Sequence, residues 1–174
     1  MNLHSNSNTL QYETVTETNH TDLERKIDSI TKTLSKPYFN KILKNLLETN
    51  PTNAKIIYEY IVAEQTELNI KDSTKEGKIK ILVWLSNFFD NKSFKEMTKQ
   101  DILEYLNNLR KSTADDPANR WIGTYNGRQM ILLKFFKWLY YPNEDYRKRL
   151  TPLCMQGVRK LPRKEKISYK SSVT

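Results

Sequence analysis

Apolar residues recur along most of this chain at three- and four-residue intervals, a period that predicts amphipathic helices rather than strands. The first helical signal is Thr21-Asp-Leu-Glu24, the spacing of a capping box, which opens a helix running to about Leu34. Lys36-Pro37 stops it, and Phe39, Ile42, Leu43 and Leu46 share one face of a short second helix. Asn50-Pro51 supplies an N-cap followed by proline at the first helical position, and Ile56, Ile57, Tyr60 and Ile61 form the stripe of a helix reaching about Asn69. Ser73-Thr-Lys-Glu76 repeats the box spacing ahead of Ile79, Leu82, Leu85, Phe88 and Phe89. Thr98-Lys-Gln-Asp101 resembles it once more, ahead of Ile102, Tyr105, Leu106 and Leu109. Asp116-Pro117 starts a last helix, which Pro142 ends. Residues 1–20 have no sustained period and read as a disordered tail.

The pattern predicts an all-α protein with a core of four helices over roughly 52–69, 73–90, 99–111 and 117–141, their stripes facing one another. Trp84, Phe88, Phe89, Phe135, Phe136 and Trp138 read as core before any ligand box. Four glycines and six prolines in 174 residues leave little material for the tight turns of an all-β fold. The single cysteine, Cys154, excludes an intrachain disulfide and fits a reducing compartment. The N-terminus has no apolar signal region, and Lys134 and Lys137 interrupt the most apolar run, so a soluble, cytoplasmic protein is expected.

Charge is distributed unevenly. Residues 121–174 hold 12 Lys and Arg against 3 Asp and Glu, whereas the first 120 residues balance, so the formal charge of +9 sits at the C-terminal end. Such one-sided basicity fits a polyanion partner, and it fits a solvated basic tail as well.

The chain also resembles itself. Thr74-Lys-Glu-Gly-Lys78 and Thr124-Tyr-Asn-Gly-Arg128 align at an offset of fifty, and the match continues through Ile81/Ile131, Leu82/Leu132, Val83/Leu133 and Leu85/Phe135. Three of the four glycines, Gly77, Gly123 and Gly127, fall in these helix heads, where glycine costs about 1 kcal/mol relative to alanine. Close approach of another backbone, from a packed helix or a phosphate chain, would compensate. On a helical wheel Arg120, Thr124, Gly127, Ile131 and Lys134 form one stripe, with Arg128 nearer the apolar one. Either Arg120 and Arg128 reach DNA, or they pair with Asp115, Asp116 or Glu104.

A helix opening T-Y-N-x-R and continuing to L-x-x-F-F-x-W-L, preceded by one opening S-T, resembles the N-terminal core-binding domain of tyrosine recombinases, the phage-integrase family. The matching residues are Ser73, Thr74, Thr124, Tyr125, Asn126, Arg128, Leu132, Phe135, Phe136, Trp138 and Leu139. The segments DPANRWIGTYNGRQ and TPLCMQGVRKLPRKEKISYK are similar to archaeal members. The resemblance implies a four-helix SAM-like core-binding bundle over 51–142, with a helical extension over 21–50 and a basic linker over 143–174 leading to a catalytic domain. It implies sequence-specific binding of double-stranded DNA at a recombination site, nucleoid association and self-association on DNA. The contacts would come from Ser73, Thr74, Lys75, Lys78, Arg120, Thr124, Tyr125, Asn126, Arg128 and Lys134. Arg159, Lys160, Arg163, Lys164, Lys166 and Lys170 would track the backbone.

The family's catalysis requires two arginines, a lysine, an H-x-x-R histidine and a tyrosine nucleophile in the C-terminal domain. The two histidines here, His4 and His20, lie in the tail, so no enzyme activity, metal or cofactor is expected of this chain. A different class remains open: a helical adaptor whose basic tail binds an acidic protein or RNA.

Overall fold

The computed structural model describes residues 21–31 and 37–162. The predicted 1–20 tail and the predicted stop at Lys36 lie outside the described residues. Six α-helices follow one another, and no strand occurs among the described residues: α1 (21–31), α2 (Pro37–Thr49), α3 (Pro51–Leu68), α4 (Asp72–Phe88), α5 (Lys99–Asn107) and α6 (Trp121–Tyr140). Single 3-10 turns stand at Phe94–Glu96 and Leu153–Met155. The protein is all-α, as its periodicity predicts.

Local chemistry explains most helix ends. Asn50 caps α3 by accepting from the Asn53 amide at 3.0 Å, with Pro51 in the first turn, and Asn69 ends the helix in the left-handed region at φ 46°. At α5 the capping box forms in full: Thr98 Oγ1 accepts from the Asp101 amide, and the Asp101 carboxylate accepts from the Thr98 amide at 2.7 Å. Burial opposes ionisation of Asp101, but hydrogen bonds from Lys92 and Thr98 outweigh it and hold the carboxyl below its ordinary value.

Two starts differ from the sequence reading. The Ser73–Glu76 box does not form: α4 begins at Asp72 after Lys71, with no side-chain cap, and Asp72 places negative charge in the first turn, where the helix dipole favours it. α6 begins at Trp121, four residues beyond Pro117, because Asn119 adopts a left-handed φ of 51° and breaks the path between them. Asp116 still serves the start, accepting from the Trp121 amide at 2.9 Å, and that bond lowers its pKa.

The apolar core is continuous across the predicted boundary at residue 50. Phe39, Ile42, Leu43, Leu46 and Leu47 of α2 are buried and α2 packs on both α3 and α4, so the helical extension belongs to the same body. Ile27 and Ile30 of α1 join them. Tyr60 of α3, fully buried, meets Phe135 at 5.2 Å and Trp138 at 5.4 Å between ring centroids. Phe88 stands at the rim, edge-on to Phe89 and Tyr105. A buried asparagine, Asn53, links three elements: it donates to Ser86 Oγ of α4 and to the Lys92 carbonyl, and accepts from the Phe94 amide. Full satisfaction makes such a buried amide tolerable.

The predicted linker also begins too early. After α6 the chain folds back, burying Cys154, Met155 and Val158 against α5 and α6. Burial pushes the Cys154 thiol up to about 11, so it stays protonated at neutral pH.

Candidate nucleic-acid interface

The fifty-residue repeat is visible in three dimensions. Leu82 and Leu132, Leu85 and Phe135, and Ser86 and Phe136 are buried pairwise, while Thr74 and Thr124 are exposed pairwise. α4 and α6 nevertheless pack on different neighbours. Arg128, near the front of α6, meets Trp84 toward the end of α4, whereas Phe135 and Trp138, toward the end of α6, share Tyr60 with Lys78 at the front of α4. The two glycine-bearing heads therefore have separate surroundings: Lys78 meets Tyr60, and Arg128 meets Trp84 and Tyr105.

At the head of α4, Ser73 and Thr74 are exposed, and Lys75 lies 3.1 Å from Asp72. Lys78 is a correction. Its side chain is 6% exposed and ion-paired with Glu64, itself 3% exposed, with the ammonium 5.6 Å from the Tyr60 ring centroid. Turning it outward to a phosphate would strand the Glu64 charge in the core.

At the front of α6 the predicted residues divide into two groups. Thr124 is exposed, and Arg120 is an 85% exposed side chain, 3.5 Å from Asp116. The alternative reading of Arg120 as a partner of Asp116 is thus realised, in a geometry that leaves most of the guanidinium open. Tyr125, Asn126 and Arg128 are instead structural. Tyr125 is buried beside Trp121, and the Arg110 guanidinium covers both rings at 5.4 and 5.9 Å from their centroids. Asn126 holds the backbone of Leu161 at both ends, donating to its carbonyl and accepting from its amide at 2.8 Å each. Gln129 adds a bond to the Val158 carbonyl at 3.0 Å. Arg128 donates to the Tyr105 hydroxyl at 2.9 Å and lies 5.4 Å from the Trp84 centroid and 5.5 Å from that of Tyr105.

Lys134 stands in the rear half of α6, 5.9 Å from the Tyr146 ring centroid. Arg159 and Lys160 are exposed, and the Asn126 clasp on Leu161 carries them to the front of α6. Arg163, Lys164, Lys166 and Lys170 lie outside the described residues.

The helix-head glycines give the clearest geometric result. A Cβ added at Gly77, Gly123 or Gly127 would meet nothing within 4 Å, so no packed helix among the described residues requires them. A packed neighbour among the described residues is thereby removed as their explanation.

Two participants escaped the sequence reading. Glu64 was legible, since it falls three residues after Ile61 and four after Tyr60 on the α3 stripe, where a carboxylate needs a buried partner. Arg110 had no such signal, because its ring contacts depend on how α5 meets α6. No cluster of three or more metal-ligating side chains occurs among the described residues, and no helix there is long and apolar enough to cross a membrane. Comparison with protein-family models, curated proteins and solved structures finds no match.

Proposed function

We propose that this chain binds double-stranded DNA as the non-catalytic N-terminal part of a tyrosine recombinase, recognising and clamping a recombination site. One observation carries the reading: two helices of the same plan place glycines at their fronts, open to the outside, with exposed hydroxyls beside them. An absent Cβ lets a phosphate chain approach the backbone, and threonine hydroxyls and exposed cations supply donors. Arg120, Arg159 and Lys160 surround the α6 front, while Ser73 and Thr74 stand exposed at the α4 head, where the Lys75 side chain is 14% exposed and paired with Asp72. Because the two heads have separate surroundings, the reading is of two footholds along a duplex.

Gly127→Ala provides the test. Nothing among the described residues opposes the added methyl, so the variant folds at least as well as the parent, yet its affinity for duplex DNA in an anisotropy titration drops several-fold. Unchanged affinity would sink the glycine argument. Affinity that ignores added salt would sink duplex binding altogether, because phosphate contacts release counterions. The adaptor reading has its own support in the exposed pair Arg159 and Lys160. It requires that removing residues 159–174 abolish all polyanion binding while Gly77→Ala and Gly127→Ala change nothing.

A further inference from the structure

A concavity of about 350 Å³ lies between the rear half of α6 and the loop that follows it, lined by Leu133, Lys134, Lys137, Tyr146, Arg147 and Arg149. No carboxylate among the described residues lines it. Glu67, the nearest acid that bonds to a lining side chain, is already held by Arg149 at 2.6 Å, and the Asp145 carboxylate accepts from the Arg147 amide at 2.9 Å. Among the described residues Lys134, Lys137 and Arg147 have no ion pair, and the Tyr146 ring flanks the Lys134 ammonium at 5.9 Å. Three uncompensated cations converging on one hollow repel one another, a cost that an anion in the hollow removes.

We infer that Lys134, Lys137 and Arg147 form a discrete phosphate-binding pocket that grips the DNA backbone, an inference that rests on the duplex reading above. Its position supports that source of phosphate. Gly127 and Lys134 share the α6 stripe and are seven residues apart, about 10 Å of helix. A duplex strand carries one charge per roughly 3.4 Å of axis, so the pocket lies within about three charges of the glycine front. It also stands at the α4-head end of the bundle, because Glu67 on the last turn of α3, just ahead of α4, is what holds Arg149. The pocket therefore bridges the two footholds.

The test is a salt series of anisotropy titrations with the full chain and a labelled duplex. Each neutralised phosphate contributes a slope of about 0.9 in log K against log salt, so the Lys137→Ala/Arg147→Ala pair makes the slope shallower by about two. The charge-retaining pair Lys137→Arg/Arg147→Lys keeps the parent slope. Arg147→Ala alone, at an exposed position that leaves the fold intact, lowers it by about one. A parent that binds with a steep slope, and variants that match it, overturn the pocket and leave duplex binding standing. A parent without salt-dependent binding removes both.

Discussion

At positions fifty residues apart, α4 and α6 each turn a cation toward neighbouring helices and hold it by different means. Lys78 meets a carboxylate, Glu64, in a pair almost fully removed from water. Arg128 meets a neutral phenol and two ring faces and keeps its whole charge near the surface. A repeated sequence plan thus preserves burial without preserving electrostatics: one head has an internal salt bridge, and the other retains a positive field at its front. The guanidinium suits the second arrangement because its plane stacks on rings while its edge donates, which an ammonium cannot do.

The widest expected split between the two helices is in stability. Lys78→Met should cost about 3–5 kcal/mol in urea unfolding, since it leaves Glu64 charged and alone in the core. The Lys78→Met/Glu64→Leu pair should recover most or all of that loss, and failure to recover would mean the ion pair is not the reason for the cost. Arg128→Ala should cost about 1–3 kcal/mol, because a buried hydroxyl loses its donor and two rings lose cover. Arg128→Lys should restore little of it. If Lys proves equivalent, the contrast between the two cations reduces to charge alone.

Asn126→Ala sharpens the comparison from the side of α6, since α4 has no counterpart to the clasp. Releasing Leu161 should expose the bonds after Arg159 and Lys160 to trypsin, speeding cleavage there about tenfold or more while the melting temperature falls by a few degrees. The smallest effects belong to the glycines: Gly77→Ala and Gly127→Ala should each raise stability by up to about 1 kcal/mol in thermal melts. A loss at either position would reveal a contact the open geometry excludes.

Helix positions were legible where the chemistry was local. The Thr98–Asp101 box and the Asn50-Pro51 start each involve neighbouring residues that satisfy one another whatever the rest of the fold does. The Ser73–Glu76 spacing had the same form and failed because Asp72 begins the helix one residue earlier, which places the serine inside the first turn. Asp116 was identified as a start residue, but its reach to Trp121 passes over a left-handed Asn119 that no periodicity reports. At the candidate site, a wheel placed Arg128 near the apolar stripe but could not name Tyr105 and Trp84. Nor could it anticipate that Asn126 would be committed to Leu161, thirty-five residues away. The different neighbours of α4 and α6 are likewise a property of packing, invisible to an alignment of one helix on the other.

Arg149 closes the end of α6. It is buried, with its Nε donating to the carbonyls of Tyr141 and Glu144 at 3.1 Å each and its Nη2 to Glu67. One side chain thereby ties the loop that carries Tyr146 and Arg147 to the last turn of α3. The conformational entropy of that loop is spent during folding rather than on association, so in the proposed phosphate pocket each contact its residues made with an anion would contribute more fully to affinity.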